Sequence, residues 1–395
     1  MNKIILFLCL CCLHISAAGS TIDEIIANIS SNNADIKAAI SQLASDSIDI
    51  SSTNYLEDPS VDFEYLFGDK SVGDKWAIGI SQGFEWPGIY HSRKQANKSK
   101  LNALSYSASM KRLEILYQAK LLCLDVINTN KQIALWQQLY DSYAEIYNRY
   151  SSALEKREIT ILDMNKLKIE LVNVSQNIAQ MKIRLDETVK DLNAMNGNGD
   201  IPASLIKGLN CYPNDDLLPL EDYIMQYGRF DPESKYYAEM SNAYTAEQSV
   251  ARMGWLPKFS VGYKYSNEIG DGFNGFTIGV SIPLFANKKK TKAAKAQKLS
   301  NEYTAQNLEN IKYARIRTAF AKAASLQGQL AAYNSAVDFN ANQELLRQAL
   351  DGRQISLLDY IREVTYFIEA QQETLNIEYD LHCAIAELNK YTFIQ

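Results

Sequence analysis

The chain has 395 residues, of which 47% are hydrophobic and 22% are charged, and its formal net charge is -6. This composition is too apolar for a disordered chain, and the mild acidity argues against nucleic acid as a main partner, because phosphate binding needs a basic face. Only 18 glycines and 8 prolines occur, and so few helix breakers in a chain of this length favour long helices.

Residues 1–18 have the pattern of a secretory signal peptide. Lys3 supplies a positive charge, an apolar run follows from Ile4 to Ile15, and Ser16-Ala17-Ala18 is a small-residue cleavage site. The apolar run is shorter than a membrane-spanning helix requires. We therefore expect an exported chain. A lipid anchor on a cysteine of the apolar run is a less favoured alternative, since no small residue precedes those cysteines.

The rest of the chain carries few groups suited to catalysis. Its cysteines are the scattered Cys123, Cys211 and Cys383, and its histidines are His91 and His382. No spacing matches a disulfide framework, a zinc site, a phosphate-binding loop or a nucleophile elbow. We therefore expect no enzymatic activity, no cofactor and no metal site.

Two copies of one unit make up the mature chain. The segment Arg157–Asp163 resembles Arg353–Asp359, 196 residues later. The first copy covers 19–196 and the second covers 220–395. The stretch 197–219, which holds three of the prolines, is the predicted linker.

Each copy contains two short runs in which bulky apolar residues alternate with small or polar ones, which predicts a β-hairpin. The predicted strands are 59–68 and 75–84 in the first copy, and about 257–266 and 275–284 in the second. A soluble sheet would bury the apolar face as core, whereas a membrane barrel would turn it toward lipid and line its lumen with the polar face. We favour the barrel, because two hairpins flanked by long helices cannot build a sandwich core unaided.

Aromatic residues near the strand ends also favour a membrane barrel, since such residues are typical of membrane interfaces. They are Trp76, Trp86, Trp255 and Phe285. Four strands cannot close a barrel, and open edges in lipid would leave backbone groups without hydrogen bonds. The strands must then be shared among copies of the chain, so that two chains would give eight strands and three would give twelve.

Long helices are predicted beyond each hairpin, because residues 88–201 and 284–395 lack proline and show helical periodicity. The predicted long and return helices are 89–155 and 160–195 in the first copy, and 286–351 and 356–391 in the second. Thr160-x-x-Asp163 and Ser356-x-x-Asp359 fit a capping box at the start of each return helix. Each copy is therefore predicted to be a β-hairpin joined to a long helical hairpin.

Basic residues follow both hairpins. They are His91, Arg93, Lys94, Lys98 and Lys100 after the first, and Lys288, Lys289, Lys290, Lys292, Lys295 and Lys298 after the second. Cations at a helix start oppose the helix dipole, so their recurrence is unusual. A solvated face is the favoured interpretation; attraction to anionic headgroups and a positive collar in a tunnel are the alternatives.

The duplicated order of helix, strand pair, long helix, tip turn and return helix behind a signal peptide resembles the TolC-like outer membrane factors. The segments 80–88 and 280–285 resemble the strand-to-helix transitions of that family, and 153–163 and 349–359 resemble its tip turns. Within the family, Trp86-Pro87-Gly88 is similar to the metal-efflux (CzcC/CusC-like) branch.

The resemblance implies an α+β membrane protein that forms a homotrimer in the outer membrane of a Gram-negative bacterium. A twelve-stranded β-barrel would be continued by a twelve-helix α-barrel in the periplasm. The implied partners are outer-membrane lipid, a periplasmic adaptor (membrane fusion protein) and an inner-membrane RND or ABC transporter.

We hypothesise that the tips both dock the adaptor and gate the channel. The candidate residues are Arg157, Thr160, Asp163, Gly352, Arg353, Ser356 and Asp359. Asp359 aligns with a gate carboxylate of the family, although a simple capping role for Asp163 and Asp359 is an equal alternative. The family usually has glycine where this chain has Arg157 and Arg353.

The expected function is a passive conduit in a tripartite efflux or type I secretion system, with drugs, metal ions or proteins as possible cargo. The alternative from another class is a periplasmic coiled-coil structural or adaptor protein with a small soluble sheet.

Overall fold

A computed structural model describes residues 17–71, 73–155, 160–283, 289–336 and 339–394 of the protein. Most of the predicted signal peptide, Arg157, Phe285 and Lys288 lie outside the described residues. The described part is mostly helical and contains one four-stranded antiparallel sheet. It divides into two compact units: the first comprises residues up to 37, 111–230 and those from 312 on, and the second comprises 38–110 and 231–311.

The helices outnumber the strands and differ widely in length. They are α1 (Ala17–Asn32), α2 (Ala34–Ser52), α3 (Pro87–Glu155), α4 (Ile161–Met195), α5 (Ala203–Gly208), α6 (Leu220–Phe230), α7 (Pro232–Met253), α8 (Lys290–Ala336), α9 (Phe339–Asp351) and α10 (Leu357–Leu388), before a short 3-10 turn at Lys390–Ile394. The strands are β1 (Ser60–Leu66), β2 (Lys75–Phe84), β3 (Lys258–Glu268) and β4 (Asp271–Ser281). None of the described helices is both long and apolar enough to cross a membrane.

The helical stretch before each hairpin, 17–52 and 220–253, is divided in two by a capping residue. The side chain of Asn33 accepts a hydrogen bond from the Ile36 amide at 3.0 Å, at the start of α2. The side chain of Asp231 accepts one from the Ser234 amide at 2.8 Å, and Pro232 follows it at the first position of α7. Both residue types satisfy free amides at a helix start, which explains the breaks.

The two hairpins join into one sheet of order β1-β2-β3-β4. In the register, Phe63 pairs with Ile78, and Ile78 pairs with Tyr265 across the junction between the hairpins. Because β2 and β3 form the junction, β1 and β4 are the two edges of the sheet.

The second hairpin is longer than the sequence pattern predicts. Its loop was predicted over 267–274, whereas β3 and β4 continue up to a two-residue turn at Ile269 and Gly270. Both turn residues have positive φ, 56° and 95°, as a type I′ turn requires. The Asn267 side chain accepts a hydrogen bond from the Gly270 amide at 3.2 Å. The usual Asn-Gly signal is missing because a β-branched residue occupies the first turn position.

The buried core lies among the helices. In the first unit, Ile22, Ile25, Leu116 and Leu124 belong to one fully buried cluster. In the second unit, small side chains such as Ala96 are buried, which lets helices approach closely. The apolar side chains of the sheet are instead largely exposed, so the described residues give them no core.

Candidate functional site

The first helix tip is built around Thr160. Its backbone is extended, with φ -90° and ψ 151°, and its hydroxyl accepts a hydrogen bond from the Asp163 amide at 3.2 Å. The same hydroxyl donates to the Asp163 carboxylate at 2.7 Å. The carboxylate therefore fixes the orientation of the capping hydroxyl instead of reaching back to the backbone amide of the capping residue, as in a standard capping box.

The second tip combines a helix end and a helix start. At the end of α9, the Gln354 amide donates to the Ala349 carbonyl at 2.8 Å and the Arg353 amide donates to the Leu350 carbonyl at 3.0 Å. These bonds define a Schellman motif, in which the residue with positive φ is usually glycine. Here it is Arg353, with φ 56°. Gly352, one position earlier, does not have positive φ.

At the start of α10, Ser356 repeats the cap of Thr160. The Ser356 hydroxyl accepts from the Asp359 amide at 3.1 Å and donates to the Asp359 carboxylate at 2.7 Å. The hydrogen bond from Ser356 lowers the pKa of Asp359, and the nearby Arg362, 3.1 Å away, adds to this effect. Asp359 is therefore a charged carboxylate at neutral pH, held by its own helix start.

The two tips rest on a packed cluster in the same unit. Tyr143 of α3 and Tyr360 of α10 are fully buried, and the Tyr360 hydroxyl lies 3.2 Å from that of Ser142. Nearer the tips, the Arg149 guanidinium bridges Asp351 and Glu145 at 2.6 Å each. Sequence reasoning missed the contact with Asp351, because α9 lies far from α3 in the chain.

One face of the sheet is apolar and exposed. Phe63, Phe276 and Ile278 are 67%, 84% and 79% exposed. Of the predicted interface aromatics, Trp86 follows β2 and Trp255 precedes β3. Both therefore lie at the end of the sheet from which the helices continue. Trp76 lies near the opposite end of the sheet, and its ring centroid is 5.5 Å from that of Tyr265.

The other face of the sheet carries cross-strand ion pairs that the sequence reasoning also missed. Lys264 contacts Glu64 at 2.8 Å, and Lys75 contacts Glu268 at 3.0 Å. Lys75 lies directly opposite Glu268 on the paired strands β2 and β3, and opposite charges at such positions are a signal that would have found this pair. Glu64 and Lys264 lie on β1 and β3, on either side of β2, so the strand order brings them together. The paired charges make this face wettable.

A third set of charges lies at the end of the sheet from which the helices continue. Lys258 contacts Glu57 at 2.6 Å and Glu85 at 3.3 Å, and Arg93 also pairs with Glu85. Burial opposes ionisation of Glu85, but the hydrogen bonds and charges of Arg93 and Lys258 outweigh it and lower the pKa of this carboxyl. Among the described residues, no cluster of histidine, cysteine or carboxylate side chains could hold a metal ion.

Comparisons by sequence find no relative: no protein-family model matches the chain, and no curated protein matches it. Comparison with solved structures finds close matches of fold. CusC, a protein that forms a transmembrane channel, has a TM-score of 0.79 at 14% identity over 94% of this chain and 92% of its own. The CmeC outer membrane channel of Campylobacter jejuni has a TM-score of 0.76 at 17% identity over 94% and 85%.

The open state of the MtrE outer membrane channel of Neisseria gonorrhoeae also matches, with a TM-score of 0.72 at 15% identity over 94% of this chain and 88% of its own. CusC forms a transmembrane channel, and CmeC and MtrE are outer membrane channels. The chain therefore has the fold of such a channel protomer, which confirms at the level of fold the resemblance that its sequence suggested.

Proposed function

We propose that the protein is the protomer of an outer-membrane efflux channel of the TolC type, located in the outer membrane of a Gram-negative bacterium and extending into the periplasm. The observation that carries the proposal is the sheet: its apolar face is exposed, its polar face is charged, and its two edge strands have no further strand partner among the described residues. The fold shared with solved outer membrane channels supports the same conclusion.

The free edges support a shared barrel. An edge strand in lipid would leave backbone amides and carbonyls without partners, at several kcal/mol each. Pairing β4 of one copy with β1 of the next removes both edges. Three copies of the four-stranded sheet would give the twelve-stranded barrel and homotrimer that the family resemblance implies.

The two faces of the sheet then have different solvents. Phe63, Phe276 and Ile278 would meet lipid, and the ion pairs Lys264–Glu64 and Lys75–Glu268 would line a water-filled lumen. Such a lumen supplies a path and no chemistry, so the protein would act as a passive conduit and not as an enzyme. The energy and the choice of substrate would come from its partners.

The helix tips are the proposed contact with those partners. A periplasmic adaptor would dock at the turns around Thr160 and Ser356, in series with an inner-membrane RND or ABC transporter. Asp359 lies near Arg362 at the surface and is charged at neutral pH. Three symmetric copies would therefore place a ring of aspartates at the tip. Such a ring would favour cations.

Planar-bilayer conductance of the purified, detergent-extracted protein, with its mass measured in parallel, tests the proposal. We expect a trimer that forms stable channels. A water-soluble monomer without channel activity would refute the proposal and favour the alternative of a periplasmic coiled-coil protein with a small sheet.

A further inference from the structure

The N-terminal parts of α3 and α8 carry a surface that the proposed conduit function does not use. We call it the basic patch and define it as the exposed residues Lys94, Lys98, Lys289, Lys290, Lys292 and Lys295. Within the described part of the chain, none of these six lysines forms an ion pair, whereas their neighbours Arg93, Lys100 and Lys298 do.

The carboxylates near the basic patch are already engaged. Glu57 and Glu85 pair with Lys258 and Arg93. On the elements packed beside the patch, Glu247 of α7 pairs with Lys100, and Glu302 of α8 pairs with Lys298. The patch therefore keeps its positive charge, and in the first turn of α8 this charge opposes the helix dipole. An external anion would relieve that repulsion.

The fold places both parts of the patch at one end of the sheet, the end from which the helices continue. Strands β2 and β4 run in the same direction, and α3 and α8 continue from their ends. Trp86 and Trp255 lie at this end of the sheet and are 43% and 45% exposed. Exposed tryptophan next to lysine is typical of the boundary between membrane and water, where the ring stays among the headgroups and the ammonium meets lipid phosphate.

The side of α8 that bears the lysines favours lipid over a water-filled tunnel. Lys292 and Lys295 lie on the same side as Leu299, which is 46% exposed. The opposite side of the helix packs on α7, where Ala294 is buried and the Asn301 side chain donates to the Tyr237 carbonyl at 3.0 Å. A mixed apolar and basic side suits a headgroup boundary, because lysine stems cover apolar surface while their charges reach phosphate.

We propose that the basic patch binds the phosphate groups of anionic phospholipids in the membrane leaflet nearest the helices. The inference rests on the proposed membrane channel. Lysines at an anionic membrane surface each strengthen binding by about fivefold. These contacts would fix the depth at which the barrel lies in the membrane.

The test uses the purified full-length protein in a non-ionic detergent. Fluorescently labelled phosphatidylglycerol and phosphatidylcholine are titrated separately, and the ratio of their apparent dissociation constants is measured. The patch variant combines Lys289→Gln, Lys290→Gln, Lys292→Gln and Lys295→Gln. The control variant changes four exposed lysines of the other unit in the same way: Lys166, Lys168, Lys182 and Lys207. Conductance and ion selectivity are recorded in planar bilayers for every protein.

We expect the wild type and the control to prefer phosphatidylglycerol, and the patch variant to lose at least about tenfold of that preference at unchanged conductance. An equal preference in all three proteins, or no preference in the wild type, would overturn the lipid proposal. A patch variant with intact lipid preference but altered ion selectivity would place the lysines in the tunnel and overturn it too. Absence of channels in the wild type would refute the conduit itself, which separates the two failures.

Discussion

At the scale of single residues, the helix tips show how a short polar pattern specifies a helix start. Thr160 and Ser356 have the same extended backbone and the same pair of hydrogen bonds to the aspartate three residues later. The carboxylate orients the hydroxyl, and the hydroxyl accepts from the amide. A capping function accounts for the geometry of both aspartates, and it is compatible with a second function of Asp359 in gating.

Removing one of these hydroxyls should loosen its helix start. We expect Ser356→Ala to cost about 1 kcal/mol of stability, since the Asp359 amide loses its acceptor. Thermal unfolding in detergent and hydrogen exchange at the Asp359 amide would measure the effect. Ser356→Thr keeps the hydroxyl and is the control; exchange equally fast in both variants would contradict the prediction.

The same cap has a defined pH dependence. Because its folded-state pKa is lowered from the ordinary value of 3.8, Asp359 contributes stability that is present above about pH 4. That contribution is lost as the pH falls further, through the folded-state pKa. The acid sensitivity of the Ser356→Ala variant should therefore be smaller than that of the wild type.

His382 is a second titratable residue with a large environmental effect. Its ring stacks on Tyr212 with centroids 4.4 Å apart. Burial lowers the pKa of His382 to about 4; Asp215 opposes the shift, and Lys131 and Lys120 add to it. Its Nδ1 is buried without a hydrogen-bond partner in the described residues, so the folded state holds a neutral imidazole.

The protein should therefore lose stability on acidification between pH 6.5 and 4. In this window the unfolded chain binds a proton that the folded chain does not, at a cost of about 2 kcal/mol at pH 5. Urea midpoints measured from pH 7 to 4 should fall in the wild type and fall less in His382→Gln. The exposed His91→Gln is the matched control, and equal slopes for both variants would contradict the assignment.

Arg353 marks the limit of residue patterns at the tips. The sequence placed Gly352 and Arg353 in a turn but could not show which of them adopts the left-handed conformation. The structure gives it to Arg353, because the Schellman hydrogen bonds require a positive φ at that position. Contacts of the second tip with distant helices, such as Arg149 with Asp351, depend on the tertiary fold and have no local signal.

At the scale of elements, the predicted linker 197–219 contacts the helices of its own unit. The Asn130 side chain donates to the Leu209 carbonyl at 3.0 Å, and Lys120 pairs with Asp215 at 3.3 Å. Between these points, the Lys131 ammonium lies 4.5 Å from the ring centroid of Tyr212 and contacts both carboxylate oxygens of Glu378 at 2.7 Å. The prolines predict a linker here, but they do not predict these contacts, which involve residues far apart in sequence.

Tyr212 should be the main attachment of this linker. We expect Tyr212→Ala to cost about 2 kcal/mol, because the ring contacts with Lys131 and His382 are lost and a cavity remains. Limited proteolysis should then cut within 197–219 at least about tenfold faster. Tyr212→Phe keeps the ring and removes a hydroxyl that has no partner among the described residues, so it should be as stable as the wild type. Equal proteolysis of the Ala and Phe variants would contradict the prediction.

At the scale of the whole molecule, the alternation of residues in four short strands carries the most information. The period-two pattern was readable because each strand has one apolar face and one small or polar face. The helices were readable from a different signal, namely long proline-free stretches with helical periodicity. The alternation could not show whether the apolar face contacts a protein core or lipid, because apolar side chains such as Phe63 and Ile278 suit both environments. The high exposure of these side chains in the structure is the observation on which the proposed lipid contact rests.

The two adjacent residues at the centre of β4 separate these alternatives. Phe276 is on the apolar face and is 84% exposed, whereas Thr277 is on the polar face beside Gly262. In a membrane barrel, Phe276→Lys would place a charge near the bilayer midplane and cost about 2–4 kcal/mol, while Thr277→Lys would face water and cost little. In a soluble protein, lysine at so exposed a position as 276 would change stability by no more than about 0.5 kcal/mol.

Urea unfolding of the protein folded into lipid vesicles, together with the amount recovered in the outer-membrane fraction, would measure the difference. We expect Phe276→Lys to lower both quantities, and Thr277→Lys to leave both near the wild-type values while changing the conductance, because its charge enters the lumen. Phe276→Leu is the control, since it removes the ring contact with Tyr263 but stays apolar. If Phe276→Lys were as stable as Phe276→Leu, the apolar face would not meet lipid, and the free strand edges would have to be explained without a barrel.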